Sequence, residues 1–143
     1  MLFHASCIRF MNTGILICGQ SGMGKSDLCL RLIEYGAKLV ADDQTHVDRI
    51  NNKLIASCPE NIQGLLEVRG IGIVTAPFIP TTEIHLKLSL QTEEKIDRMP
   101  SAKTDVIEGI SIPVLTINAF ENSAVLKVKT CIEISNGQRK VIR

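Results

Sequence analysis

The sequence predicts an α/β domain, and three observations carry that prediction. The chain of 143 residues is long enough for one domain with a real core and too short for two ordinary ones. Short apolar or alternating runs of strand length recur along it, divided by Gly, Asn and Pro. Two longer stretches space their apolar residues as a helix does. The expected unit is therefore one domain over residues 1–143.

Taken in order, residues 2–10 read as a strand, and "MNTG" turns the chain. "ILIC" is a continuous apolar run, as expected of a buried strand. A glycine-rich loop follows over residues 19–26. From Lys25 the pattern is helical: Leu28, Cys29, Leu32 and Ile33 make one stripe, Asp27, Arg31 and Glu34 face away, and Gly36 closes the helix as a left-handed cap. "KLVADD" is a strand ended by two carboxylates. "THVDRINNKLIASC" is two strands around an Asn-Asn turn. "LLEVRGIGIV" is mixed in character. Pro77 and Pro80 then break the chain, and "EIHLKLSL" alternates as a half-exposed strand does. "QTEEKIDRMPSAKTD" reads as a polar, mobile loop, and "ISIPVLTIN" as a late strand whose Pro113 implies an edge or a bend. Asn122 or Ser123 caps a last helix bearing Val125, Val128, Cys131 and Ile132.

Composition narrows the class. The chain is 45% hydrophobic and 22% charged, which is globular rather than disordered. Aromatics are scarce and Trp is absent, so Ile, Leu, Val and Ala must build the core. A net charge of +1 gives no global field toward nucleic acid or an anionic membrane, and the basic end "GQRKVIR" reads as a solvated tail. No apolar run approaches the roughly 18 residues of a membrane span, and the start lacks the pattern of a signal peptide. Five scattered cysteines without a C-x-x-C pair read as small buried apolar residues in a reducing cytosol.

The chemistry is concentrated in "GQSGMGKS". It fits G-x-x-x-x-G-K-[ST] at Gly19, Gly24, Lys25 and Ser26, between a buried strand and a helix. Such a loop wraps the N–H groups of Gly19, Gln20, Ser21, Gly22, Met23 and Gly24 around oligophosphate oxygens, and the helix adds its positive end. Lys25 reaches the outer phosphates and Ser26 offers a hydroxyl to Mg²⁺. This is a nucleoside triphosphate site. Asp42 and Asp43 stand where a buried strand meets solvent; two adjacent carboxylates there suggest divided roles, one near the metal and one taking a proton. Glu67 and Arg69 share a side if their segment is extended. Either they form a structural ion pair, or Glu67 ligates Mg²⁺ and Arg69 balances phosphate charge. His4 and Arg98 carry no signal by themselves, although an arginine on a mobile loop is able to meet a transferring phosphoryl group.

Together, "HASC", "GQSGMGKSDLCLRLIEYGAKLVADD" and "LLEVRGIGIV" resemble the C-terminal catalytic domain of HPr kinase/phosphorylase, most of all the short alphaproteobacterial-type forms that lack the family's N-terminal domain. The resemblance implies a P-loop α/β fold with a mixed β-sheet, similar to the phosphoenolpyruvate carboxykinase-like fold. It implies ATP, or in some members pyrophosphate, with Mg²⁺, acting on a serine of the phosphocarrier HPr. It also implies phosphorolytic removal of that phosphate, and hexamers in the longer relatives. Carried onto this chain, His4 matches the active-site histidine and Lys25 the loop lysine. Ser26 and Glu67 match the Mg²⁺ ligands, with Asp42 beside them. Asp43 matches the residue that exchanges the serine proton, and Arg98 the arginine of a Y-D-R-L motif, with Ile96 in place of the aromatic. "IPVLTIN" departs from a family stretch rich in Arg and Gly that is tied to the dephosphorylating direction. Two rival readings remain: a GTPase or small-molecule kinase, for which a guanine-reading N-K-x-D and an arginine-rich lid are missing, and a non-catalytic nucleotide-sensing module.

Overall fold

A computed structural model of the protein describes residues 1–142; Arg143, at the end of the basic tail, lies outside the described residues. The strands are β1 (Leu2–Phe3), β2 (Ala5–Phe10), β3 (Thr13–Cys18), β4 (Lys38–Ala41), β5 (Thr45–Ile50), β6 (Lys53–Ser57), β7 (Leu65–Val68), β8 (Gly72–Thr75), β9 (Thr81–Leu90), β10 (Lys103–Ile107) and β11 (Ile110–Ile117). The helices are α1 (Lys25–Glu34) and α2 (Ala124–Ser135).

Nine strands form one mixed sheet in the order β1-β5-β6-β9-β3-β2-β4, with β11 also on β9 and β10 beyond it. The long β9 organises this sheet. It runs parallel to β3 along one side, while its other side pairs antiparallel with β6 at Thr81–Glu83 and parallel with β11 at Lys87–Leu90. Strand alternation then sorts side chains to two cores. Ile15, Ile17, Leu86 and Leu88 face the helices and meet Leu28, Leu32, Val125 and Val128; Leu16, Val40, Val47, Leu54 and Ile112 fill the opposite face. As the missing Trp implies, both cores are almost wholly aliphatic.

Local rules decide the connections. Three two-residue turns, Met11-Asn12, Asn51-Asn52 and Glu108-Gly109, all have positive φ, the primed geometry that matches the twist of their hairpins. The helix α1 ends as expected: Gly36 is left-handed at φ 103°, Gly36 N–H donates to Ile33 O, and Ala37 N–H donates to Leu32 O, a double-bonded helix terminus. Ser123 does precede α2, without a side-chain capping bond.

Three expectations change and one, the edge position of Pro113, holds. The strand over residues 2–10 is broken by a bend at His4, because β1 pairs with β5 whereas β2 pairs with β3 and β4. The polar stretch over residues 91–105 is not all loop: it holds a 3-10 turn at Glu93–Lys95 and the start of β10. Pro113 sits in the half of β11 that pairs only with β10; parallel pairing to β9 begins one residue later at Val114. Cys7, Cys29 and Cys58 are buried as small apolar residues, and burial pushes the Cys7 and Cys29 thiols far up, whereas Cys18 and Cys131 are only half-buried.

Gly14 marks a close approach of β3 to β9. A Cβ there would lie 1.8 Å from Glu83 O. Gly14→Ala is expected to lower stability by about 3 kcal/mol or more through overpacking. Urea unfolding checks this, and a midpoint equal to the wild type would refute the close approach.

Candidate active site

The loop after β3 crosses to α1 as the motif requires. Gly22 and Gly24 are left-handed at φ 86° and 92°, and a side chain on Gly24 would meet Ala119 and the Phe120 ring at 3.1–3.3 Å. Lys25, the first residue of α1, is 7% exposed, and its ammonium donates to Gly19 O at 2.8 Å and Gln20 O at 3.4 Å. Two of its three donors thus hold the loop in its curl.

Asp42 and Asp43 follow β4 and divide at once. Asp42 turns inward. Its Oδ1 accepts from Ser26 Oγ at 2.7 Å and Ser6 Oγ at 3.1 Å, and its Oδ2 accepts from Glu67 N–H at 3.1 Å. Asp43 turns outward at φ 65°, in a three-residue turn closed by Gln44 N–H on Asp42 O at 2.8 Å. His4 Nε2 lies 2.8 Å from Asp43 Oδ1, and each side chain is 56% exposed. The bend that splits the first strand is what leaves His4 free to reach across.

The segment carrying Glu67 is a hairpin of β7 and β8 rather than one extended run. Leu66 is fully buried against α1, so alternation turns Glu67 outward. The chain reverses through Arg69 and Gly70, whose φ is 89°, and Ile71 N–H donates to Val68 O. Arg69 is therefore on the hairpin tip, and Glu67 and Arg69 both reach the same space by a turn instead of by a shared strand face.

That space is a cavity of about 420 Å³ over the start of α1. Ser21, Gly22, Gly24, Lys25 and Ser26 line it from the loop, Asp43 from the turn, and Glu67 and Arg69 from the hairpin. Gly19, Gln20 and Met23 line a separate depression on the far side of the loop, of about 400 Å³. Asp42 stands behind Ser26, and His4 joins through Asp43. Arg98 lies exposed between the 3-10 turn and β10 and does not line the cavity.

Sequence reasoning passed over four residues here. Leu30, Val68 and Phe120 make the cavity's apolar wall. Phe120 is held beside Gly24 because Arg31 donates to Ala119 O and to Glu121 O at 3.3 Å. No periodicity marks this lone aromatic. Ser6 had a readable signal: a hydroxyl sharing strand parity with the core residues Ile8 and Phe10 must find a buried partner.

Residues 1–135 match the family described as HPr Serine kinase C-terminal domain. The HPr kinase/phosphorylase of Malacoplasma penetrans (strain HF-2) is 40% identical over 151 residues, which cover 97% of this chain and 49% of that protein. The HPr kinase/phosphorylase of Clostridium tetani (strain Massachusetts / E88) is 47% identical over 76 residues, 53% of this chain and 25% of its own length. Among solved structures, the Hpr(Ser) kinase/phosphatase from Coxiella burnetii matches with a TM-score of 0.87 at 31% identity, covering 96% of this chain and 97% of that one. The chain spans half or less of the length of these curated relatives.

Proposed function

Because this chain belongs to the HPr serine kinase C-terminal domain family, we propose that it transfers the terminal phosphoryl group of ATP to a serine of an HPr-type phosphocarrier protein. The single observation that carries this reading is the His4–Asp43 couple, with Asp43 facing the same cavity as Lys25 and Ser26. A carboxylate at hydrogen-bond distance from an imidazole, opposite a phosphate-gripping loop, is what removal of a hydroxyl proton during transfer requires.

The residues divide the work. Loop amides and the N-terminus of α1 hold the phosphates, and Lys25 and Arg69 offset their charge. Leu30, Val68 and Phe120 give the nucleoside an apolar wall. Asp43 orients the serine hydroxyl and takes its proton, while His4 holds the Asp43 carboxylate in place. Arg98, carried by the family likeness, is assigned to steady charge as the acceptor protein docks. Mg²⁺ fits the donors present: the Ser26 hydroxyl and the Glu67 carboxylate line the cavity as hard oxygens, and Asp42 stands behind them, holding the Ser26 hydroxyl and the Glu67 amide. Among the described residues no group of three or more His, Cys, Asp or Glu closes a cage of its own. A cation held partly by substrate phosphates is bound that way. When bound, it would neutralise charge on the outer phosphate oxygens.

Phosphorylation ranks ahead of phosphorolysis, since residues 112–118 carry neither Arg nor Gly. The test is incubation with ATP, Mg²⁺ and an HPr-type phosphocarrier, read by intact mass. A gain of one phosphate on a serine is expected. Nucleotide binding without that gain would overturn the reading in favour of a nucleotide-sensing module.

A further inference from the structure

We propose that Ser6 is a positioning residue that fixes where the Asp43 carboxylate stands. The inference rests on the phosphoryl-transfer reading and deepens it.

Ser6 is fully buried on β2, where a hydroxyl must find partners. It finds them in the turn after β4. Its O–H donates to Asp42 Oδ1 at 3.1 Å, and its oxygen accepts Asp43 N–H at 3.0 Å. The one donor of the hydroxyl is thus spent on Asp42, and the amide of Asp43 takes one of its acceptor sites. A single buried group therefore ties β2 to the turn, gripping the side chain of one aspartate and the main chain of the next.

The grip matters because Asp43 is left-handed. The non-glycine residues at positive φ elsewhere, Met11, Asn12, Asn51, Asn52 and Glu108, lie in hairpin turns fixed by the ladders on either side. Asp43 has no such ladder. Its turn is held by Gln44 N–H on Asp42 O and by the Ser6 hydroxyl. Without that hydroxyl the Asp43 amide loses its buried acceptor, and the backbone is free to leave the strained region. The carboxylate then swings off His4 and out of the cavity. Asp42 still accepts from Ser26 and from Glu67 N–H, so the phosphate-binding end stays built. The loss should fall on turnover and spare nucleotide binding.

The experiment compares the full chain with Ser6→Ala and Ser6→Thr by two readouts. The first is amide hydrogen exchange without nucleotide. Asp43 N–H should exchange about tenfold faster or more in Ser6→Ala, with the β2–β3 ladder amides unchanged and Ser6→Thr close to wild type. The second is phosphate transfer to the phosphocarrier. In Ser6→Ala, kcat should fall roughly 30- to 100-fold, as small misplacements of reacting groups do, while KM for ATP moves less than about threefold. Ser6→Thr should recover most of the turnover. Unchanged Asp43 exchange in Ser6→Ala overturns the inference. So does kcat within about threefold of wild type, or ladder amides that loosen as much as Asp43, which would mark a merely structural role. A wild-type chain that transfers no phosphate refutes the proposed function instead, and the exchange comparison still decides whether Ser6 holds Asp43.

Discussion

Lys25→Ala is expected to lower phosphate transfer by about 10³-fold or more, the scale seen when a charged or oxyanion-stabilising group is removed from a phosphoryl or acyl transfer site. The cause is twofold. The ammonium is the one cation built into the loop, and Lys25 lines the cavity over α1 to which the proposed function assigns the outer phosphates. It is also a structural clasp, since it bonds Gly19 O and Gln20 O across the curl. Truncation removes charge stabilisation and lets the loop relax, so affinity for ATP–Mg²⁺ should fall together with turnover. Calorimetry and a transfer assay on the same sample check both. Near-normal transfer by Lys25→Ala would mean that the glycine loop does not hold the reacting phosphate.

Asp43→Asn is expected to stop chemistry while leaving the nucleotide bound. Loss of a positioned general base costs about 10²- to 10⁴-fold in turnover. Asparagine is the cleaner substitution, because it tolerates the left-handed region that Asp43 occupies at φ 65°, whereas alanine would strain the turn as well. Asn also keeps a side-chain oxygen for His4, so the geometry survives and only the basicity goes. Affinity for ATP–Mg²⁺ should stay within about threefold, because Asp43 makes no bond to the loop, to Ser26 or to Glu67. The contrast between the two variants is the informative result. Lys25→Ala should lose binding and turnover, and Asp43→Asn turnover alone. Wild-type turnover by Asp43→Asn would assign the proton to another group.

The parts of the site that were legible in sequence are those built from contiguous residues. The loop, its lysine and the helix behind it follow from glycine freedom, an apolar strand and a periodic stripe within one short window. The pair Asp42-Asp43 was visible as a strand end, yet its division was not. One carboxylate faces Ser26 and the other faces His4 because the chain turns left-handed between β4 and β5. Glu67 and Arg69 were legible as charges that needed partners, while the hairpin that folds them over α1 was not, since glycines at 70 and 72 permit a turn without demanding one. Ser6 was missed although its strand parity pointed inward. Phe120 was missed because a lone aromatic leaves no pattern. Arg98 shows the opposite case: a motif likeness singles it out, and the fold leaves it away from the cavity.

By itself the sequence determined the α/β class, the glycine-rich loop between strand and helix, the capped helix and the Asn-Asn hairpin, because backbone sterics, turn chemistry and apolar periodicity act within a few residues of one another. Tertiary structure alone decided that β9 lies beside β3, that the first strand breaks at His4, and that Ser6, Ser26 and Glu67 converge on Asp42. Those placements come from burying two aliphatic faces of one sheet at once, a condition on segments far apart in the chain that no local window contains.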